Sequence, residues 1–357
     1  MSIKKRIAHA IKWRSDFAKL QWKVNASKRY VSPCIKEDLL ILFDTALQSQ
    51  NMGDNIIQQY CGALITELLC NKEILRVPTH VLPEAQELRQ NPMAETKIVC
   101  GTNLMTPHYE DYSIWVMPQD LVGYKNVITM GVGWGCYCEE ISPVSKYVYQ
   151  TILSKTGLHS VRDSYTEQKF HQMGIHNVVN TGCPTLWKLS PEHCSAIPVS
   201  KASRVIATIT DYDQAIEQDR KMLEILLKEY EDVFVWIQGS NDLKYLEQLI
   251  SLERVNVVPR SVEAFTEILR KGGIDYVGTR LHAGIHALNQ GVRSLIIAID
   301  NRATEIGRDV NLPILLREDI GEKLVERINA PIKTEIILPE ENIIRWKSQF
   351  KKQEESE

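Results

Sequence analysis

Gly278-Thr279-Arg280-Leu281-His282-Ala283-Gly284-Ile285-His286-Ala287 is the stretch on which the reading of this chain turns. The apolar run Ile274 to Val277 precedes it and a helical pattern follows, so it reads as strand, tight turn and helix start. Such a turn aims free backbone N–H groups and the positive end of a helix dipole at whatever lies above it. Arg280 adds a planar cationic fork suited to phosphate or carboxylate. His282 adds a group that exchanges a proton near neutrality. One segment thus combines the strand-to-helix connection of a parallel α/β sheet with an anion site that carries its own acid or base.

Outward from this turn the alternation continues. Val205 to Ile209, Val233 to Gln238, Val255 to Val258 and Ser294 to Ile299 read as strands, with helices over Asp213 to Glu229, Asp242 to Ile250, Val262 to Arg270 and 282–290. An earlier series places strands at Asp38 to Phe43, Lys97 to Gly101, Asn126 to Gly131, Leu158 to Arg162 and Asn177 to Asn180. Its helices run to about Leu69, start at the capping pair Ser142-Pro143, and cover Thr166 to Met173. Between the series, Pro191 to Lys201 breaks into Pro, Ser, Cys and Lys residues and reads as a linker. Strands alternating with helices imply parallel sheets covered on both faces. The expected fold class is therefore α/β, with two Rossmann-like doubly wound domains over residues 30–190 and 200–340 and a ligand cleft between them. A basic helical segment over 1–29 precedes them, and residues 341–357 form a C-terminal helix or tail, packed back or frayed.

Composition narrows the function classes. A chain of 357 residues with 44% hydrophobic and 24% charged residues is a globular protein of about two domains. A net charge of −3 gives no case for nucleic-acid binding. No apolar run approaches the roughly 20 residues of a membrane span, and no secretory signal is apparent. The eight cysteines form no paired CxxC set, and Gly135-Cys136-Tyr137-Cys138 is a weak metal signal, so reduced structural thiols in a cytoplasmic protein are expected. Residues 1–29 carry nine Lys and Arg against the single acid Asp16, with Ile3, Ile7, Ile11, Trp13 and Phe17 at roughly helical spacing. Two readings stand: a solvated basic helix packed on the domain, or an amphipathic helix making peripheral contact with the anionic inner face of the plasma membrane.

The polar and glycine-rich motifs collect at expected strand ends: Gly53-Asp54-Asn55, Gly101-Thr102-Asn103, Gly131-Val132-Gly133, Arg162-Asp163 and Gly278 to His282. Tight turns explain the glycines by themselves. They do not explain Arg162 and Arg280, since an arginine at a strand end needs an anionic partner or water. No GxGxxG or P-loop pattern is present, so a dinucleotide or ordinary nucleoside-triphosphate site has no support. Asp54 is either the cap of the following helix or a base. His286, one turn beyond His282, is taken as packing.

The chain resembles the polysaccharide pyruvyl transferase family from about Asp44 to about Asp309. The resemblance rests on Asn51-Met52-Gly53-Asp54-Asn55, Ser160-Val161-Arg162-Asp163-Ser164, Thr181-Gly182-Cys183-Pro184-Thr185-Leu186-Trp187 and Gly278 to Gly284, in that order and spacing. It implies two Rossmann-like domains arranged as in GT-B glycosyltransferases. It also implies transfer of the enolpyruvyl unit of phosphoenolpyruvate to a sugar, as a cyclic ketal bridging two hydroxyls. The family's phosphoenolpyruvate-binding arginine falls on Arg162, and its late arginine–histidine pair on Arg280 and His282. The chain departs from the family's pattern at Cys100-Gly101-Thr102, where a double-glycine turn is common, and at Ile299-Asp300-Asn301-Arg302, where a lysine is common.

The residue types suit that chemistry. Phosphoenolpyruvate carries a phosphate and a carboxylate, so two arginines from opposite domains, Arg162 and Arg280, are expected to clamp one group each, with Arg302 as a further cation. His282, protonated and beside Arg280, is expected to protonate the methylene carbon or hold the departing phosphate. Asp54 is the candidate base for the sugar hydroxyl, and Asp163 is a weaker one that orients Arg162. Gly53, Asn55, Gly101, Asn103, Gly133 and Thr279 are expected to line the site. The partners are then phosphoenolpyruvate and a sugar, oligosaccharide or lipid-linked or nucleotide-linked glycan acceptor, with no cofactor and no metal. Two other functions fit less of the pattern: a glycosyltransferase of the same shape using a sugar nucleotide, and a non-catalytic glycan- or lipid-carrier-binding protein.

Overall fold

The structure, a computed structural model, describes residues 15–26, 35–84, 91–121 and 123–351. Most of the basic stretch 1–14 and 27–29, and the tail 352–357, lie outside them. Twelve strands are seen among the described residues: β1 (Lys36–Asp44), β2 (Glu73–Pro78), β3 (Ala94–Cys100), β4 (Val127–Met130), β5 (His159–Val161), β6 (Val178–Asn180), β7 (Arg204–Thr208), β8 (Asp232–Trp236), β9 (Asn256–Val258), β10 (Ile274–Gly278), β11 (Ser294–Ala298) and β12 (Ile314–Leu316).

The first half forms the parallel sheet β2-β1-β3-β4 and the parallel pair β5-β6. The Gly131 N–H donates to the Ser160 carbonyl at 3.0 Å and the Arg162 N–H to the Val132 carbonyl at 3.1 Å, which lays β5 beside β4 and continues the sheet. The second half is one six-stranded parallel sheet, β12-β11-β10-β7-β8-β9. Its central strand β10 is buried along its whole length; the one charged residue in it, Asp275, is paired with the buried Arg293 at 2.5 Å. Gly278 ends β10 where a Cβ would come within 2.3 Å of Thr208 Oγ1 on β7, so only glycine lets these strands close on each other. This is the two-domain, doubly wound arrangement expected from the resemblance.

The stretch read as a linker contains a short helix, Pro191–Ala196, capped by Ser190, whose hydroxyl accepts from the His193 N–H. The sequence pattern also passed over β2, which carries Glu73, Arg76 and Pro78, and β12, which is three residues long. The Glu340–Ser348 helix returns to the first domain. Trp346, fully buried, donates its indole N–H to the Thr129 carbonyl at 3.1 Å and packs among Leu40, Leu42, Ile98 and Met130.

Residues 15–26 are helical and turn Phe17, Leu20 and Val24 inward, Phe17 meeting the Tyr147 ring edge-on at 5.5 Å. The apolar stripe of this part of the basic segment is thus spent on the domain, as in the packed-helix reading, while Trp22 stays exposed. No described helix is long and apolar enough to cross a membrane.

Candidate active site

The carboxyl ends of the strands carry the polar side chains. Arg162, immediately after β5, is fully buried. Its Nε donates to Asp163 Oδ2 at 3.2 Å, Nη2 donates to Asn103 Oδ1, and Nη1 is buried with no partner. The guanidinium lies across Gly133, where a Cβ would stand 2.1 Å from Cζ. Asp163 orients the arginine and also caps the Ser164–Gln172 helix by accepting from the Thr166 N–H. Arg162, Asp163, Asn103 and Gly133 therefore form one unit, drawn from three loops. A buried cation with an unused donor is suited to an anion.

The second domain holds two arginines with different surroundings. Arg280 donates from Nε to the Ile209 carbonyl at 2.9 Å and from Nη2 to Asp211 Oδ1 at 2.9 Å and Asp242 Oδ1 at 2.5 Å. Burial raises the Asp242 carboxyl, against the charge of Arg280. Arg280 is consequently held by its own domain, with only the buried Nη1 unpartnered. Arg302, near the start of the Asn301–Val310 helix, donates from Nε to Asp300 Oδ2 at 2.8 Å and from Nη2 to the Tyr212 hydroxyl at 2.5 Å. The Tyr212 ring lies 4.9 Å from the Arg280 guanidinium and 5.9 Å from that of Arg302, between the two cations. Burial works to raise the Asp300 carboxyl, but the charge and hydrogen bonds of Arg302, with Arg162 adding, hold it below its usual value.

His282 occupies the centre. Its Nε2 faces Cys183 Sγ of the first domain at 3.7 Å, and it is 6% exposed. Burial, then the charges on Arg302 and Arg162, push the imidazole down to about 3, with Asp300 opposing. One expectation is corrected here. His282 is held neutral by its desolvated position and by the charges of Arg302 and Arg162, rather than protonated. Arg280 is paired with Asp211 and Asp242 and keeps one buried Nη1 without a partner.

Asp54 lies in the first turn of the Met52–Leu68 helix, which is capped by Asn51. Its Oδ2 accepts from the Ser49 hydroxyl at 2.6 Å and stands 3.7 Å from His80 Nε2. Burial raises its carboxyl above the ordinary range, against Ser49, His80, Arg302 and Thr102. A carboxylate so placed is a better base than an exposed one.

The remaining expected residues serve the frame. Gly53 faces Gln238 of the second domain, whose Nε2 a Cβ would approach to 2.9 Å. Gly101 makes a left-handed turn (φ +64°) against Ile57. The Thr279 hydroxyl pairs with that of Thr210 at 2.8 Å. Asn55 faces a separate groove of about 570 Å³ beside Asp44, Gln58 and Arg76. His286 packs between Tyr60, at 3.0 Å, and Thr266, at 2.9 Å, across the domain seam. The larger cavity of about 900 Å³ opens at the amino ends of β1, β3 and β4, away from this chemistry. Asp300, Tyr212, Cys183 and His80 were not singled out from sequence, although Asp300, Tyr212 and His80 each follow a strand by a few residues. Among the described residues no group of three or more His, Cys, Asp or Glu is placed to hold a metal ion, and the seven cysteines are free.

The sequence model of polysaccharide pyruvyl transferase matches residues 51–301, a span that holds every residue of this cluster except Arg302 and Ser49. The chain belongs to the polysaccharide pyruvyl transferase family. No curated protein matches it in sequence. Among solved structures, this pyruvyl transferase family member is similar to the Methanocaldococcus jannaschii UDP-GlcNAc 2-epimerase in complex with UDP-GlcNAc and UDP, at 12% identity and a TM-score of 0.48 over 87% of this chain and 99% of that one. It is also similar to a putative UDP-N-acetylglucosamine 2-epimerase from Listeria monocytogenes, at 9% identity and 0.46 over 88% and 91%. The wall teichoic acid polymerase TagF matches at 10% identity with a TM-score of 0.39 over 98% of this chain and 94% of that one.

Proposed function

We propose that this pyruvyl transferase family member moves the enolpyruvyl unit of phosphoenolpyruvate onto two hydroxyls of one sugar in a surface polysaccharide or its precursor, closing a pyruvate ketal. One observation carries the reading: the charges of two arginines from opposite domains act on the buried His282, the fully buried Arg162 with its unpartnered Nη1 and the part-exposed Arg302. A small molecule with two anionic groups satisfies both cations at once, offsets the part of the downward shift that their charges cause, and brings negative charge that opposes the larger part due to burial. His282 then takes up a proton and gives it to the methylene carbon. The C2–C3 double bond becomes a methyl group beside an electron-poor C2. A sugar hydroxyl adds to C2 and yields its proton to Asp54. A second hydroxyl adds, the C2–O bond to phosphate breaks, and phosphate leaves with the electron pair. One hydroxyl proton ends on the methyl group and the other on phosphate, so the exchange balances. The site is assigned to the cytoplasmic side, where phosphoenolpyruvate is formed.

Calorimetric titration tests this, with phosphoenolpyruvate set against a panel of nucleotide sugars for wild type, Arg162→Ala and Arg302→Ala. Phosphoenolpyruvate binding that weakens in both variants is expected. Binding of a nucleotide sugar with none of phosphoenolpyruvate overturns the donor assignment and leaves a glycosyltransferase.

A further inference from the structure

The sequence reading of the acceptor side stopped at Asp54, but the fold sets a second group against it. His80 follows β2 by two residues, Asp54 follows β1, and Thr102 follows β3, so three neighbouring strands deliver their ends to one place. His80 Nε2 and Asp54 Oδ2 are 3.7 Å apart. That gap is too long for a direct hydrogen bond, yet both atoms reach one oxygen set off their axis at about 2.8 Å from each. The other ring nitrogen is accounted for. Nδ1 lies 2.7 Å from the hydroxyl of buried Thr79. With the Thr79 O–H donating to Nδ1, the ring carries its proton on Nε2 and presents a donor toward Asp54. The two groups also differ in access: the His80 side chain is 23% exposed and that of Asp54 is 6% exposed. The pair therefore has a wet donor at its rim and a buried acceptor within.

The geometry points to His80 as an acceptor-binding residue that, with Asp54, grips a single sugar hydroxyl. The His80 Nε2–H donates to the hydroxyl oxygen, and the hydroxyl proton is turned toward Asp54 Oδ2. One lone pair of that oxygen is left for attack on C2. In this arrangement Asp54 takes the proton, and His80 selects which hydroxyl is presented to it. The substrate class implied is a sugar diol whose oxygens can occupy the same spot in turn, as ring closure of a ketal requires. The inference rests on the pyruvyl transfer proposed above.

The two can fail separately. Wild type, His80→Ala, His80→Gln and Thr79→Val are titrated with phosphoenolpyruvate. The same proteins, saturated with phosphoenolpyruvate, are then examined by saturation-transfer NMR with methyl galactoside, glucoside and mannoside as acceptor probes. Phosphoenolpyruvate affinity is expected to stay at the wild-type value in all three variants. The glycoside signal is expected to fall about tenfold in His80→Ala, recover in part in His80→Gln, which keeps a donor, and weaken in Thr79→Val, which frees the tautomer. Glycoside binding that is equal in wild type and His80→Ala overturns the His80 assignment alone. Absence of phosphoenolpyruvate binding to wild type overturns the donor reading on which it rests.

Discussion

Replacing Gly133 by alanine is the sharpest test of the anion site, because it moves one functional group by steric contact without deleting it. The new Cβ would stand 2.1 Å from Cζ, 2.2 Å from Nε and 2.4 Å from Nη2 of Arg162. Ordinary contact begins near 3.4 Å, so the guanidinium must shift by more than 1 Å. Gly133 does not have positive φ, so the substitution adds no backbone strain to confuse the result. The guanidinium has nowhere free to go, since it is fully buried and tied to Asp163 and Asn103. Each hydrogen bond between charged partners contributes about 1.5–3 kcal/mol. Losing one of them to a phosphate or carboxylate weakens phosphoenolpyruvate binding by roughly 10- to 150-fold. Overpacking should lower stability by only about 1–3 kcal/mol, which leaves a folded protein to titrate. The assay is calorimetric titration of wild type, Gly133→Ala, Arg162→Ala and the double variant, with thermal unfolding as the control. In the double variant the two losses should not add, because the alanine then has no guanidinium to displace. Wild-type affinity in a folded Gly133→Ala, or strictly additive losses, refutes the placement of the donor's anion at Arg162.

Three further predictions follow from separate parts of the molecule. Arg280→Ala should act mainly on stability, lowering it by about 3 kcal/mol or more in urea unfolding, since the fully buried Asp242 loses its counter-charge; Arg302→Ala should instead weaken phosphoenolpyruvate binding in a protein of near-normal stability. Buried His159 and His286 are each pushed down to about 4 and His282 to about 3, chiefly by burial, so the unfolded chain binds protons that the folded one refuses. Their contribution is complete above about pH 6.5 and is lost as pH falls toward those folded values, at up to about 1.4 kcal/mol per pH unit for each histidine. His159 shows why: Nδ1 accepts from the Thr129 N–H at 3.3 Å and Nε2 faces the Ser154 carbonyl at 2.9 Å, which leaves no place for a second proton. Thermal unfolding from pH 7 to 5 should therefore steepen, and His159→Gln should flatten it; a midpoint that does not fall contradicts this account. Trp346→Ala should cost about 3–5 kcal/mol by emptying the pocket that fastens the Glu340–Ser348 helix to the first domain, and limited proteolysis should then cut near Pro339.

The periodicity of the chain determined a great deal by itself. Alternating apolar runs and helical patterns were enough for the parallel α/β class, because a strand buried on both faces and an amphipathic helix leave different local signatures. The ends of strands were legible too, and with them Arg162, Asn103, Gly133 and His282, since the connections of a doubly wound sheet deliver their polar residues to one side. β2, interrupted by Arg76 and closed by Pro78, and the three-residue β12 were found only in the folded chain. What tertiary structure alone decided is which charges face one another. Arg280 and Arg302 are equally plausible anion ligands as letters, but Asp211 and Asp242 arrive from two other connections and claim the first. Arg302 keeps Asp300 and Tyr212 beside His282. The protonation of His282 was likewise beyond the sequence, because it is set by burial and by two arginines 120 and 20 residues away along the chain. The pairing of His80 with Asp54 spans two strands in the same way. Local pattern encodes what a segment becomes; electrostatics depends on the distances that only folding creates.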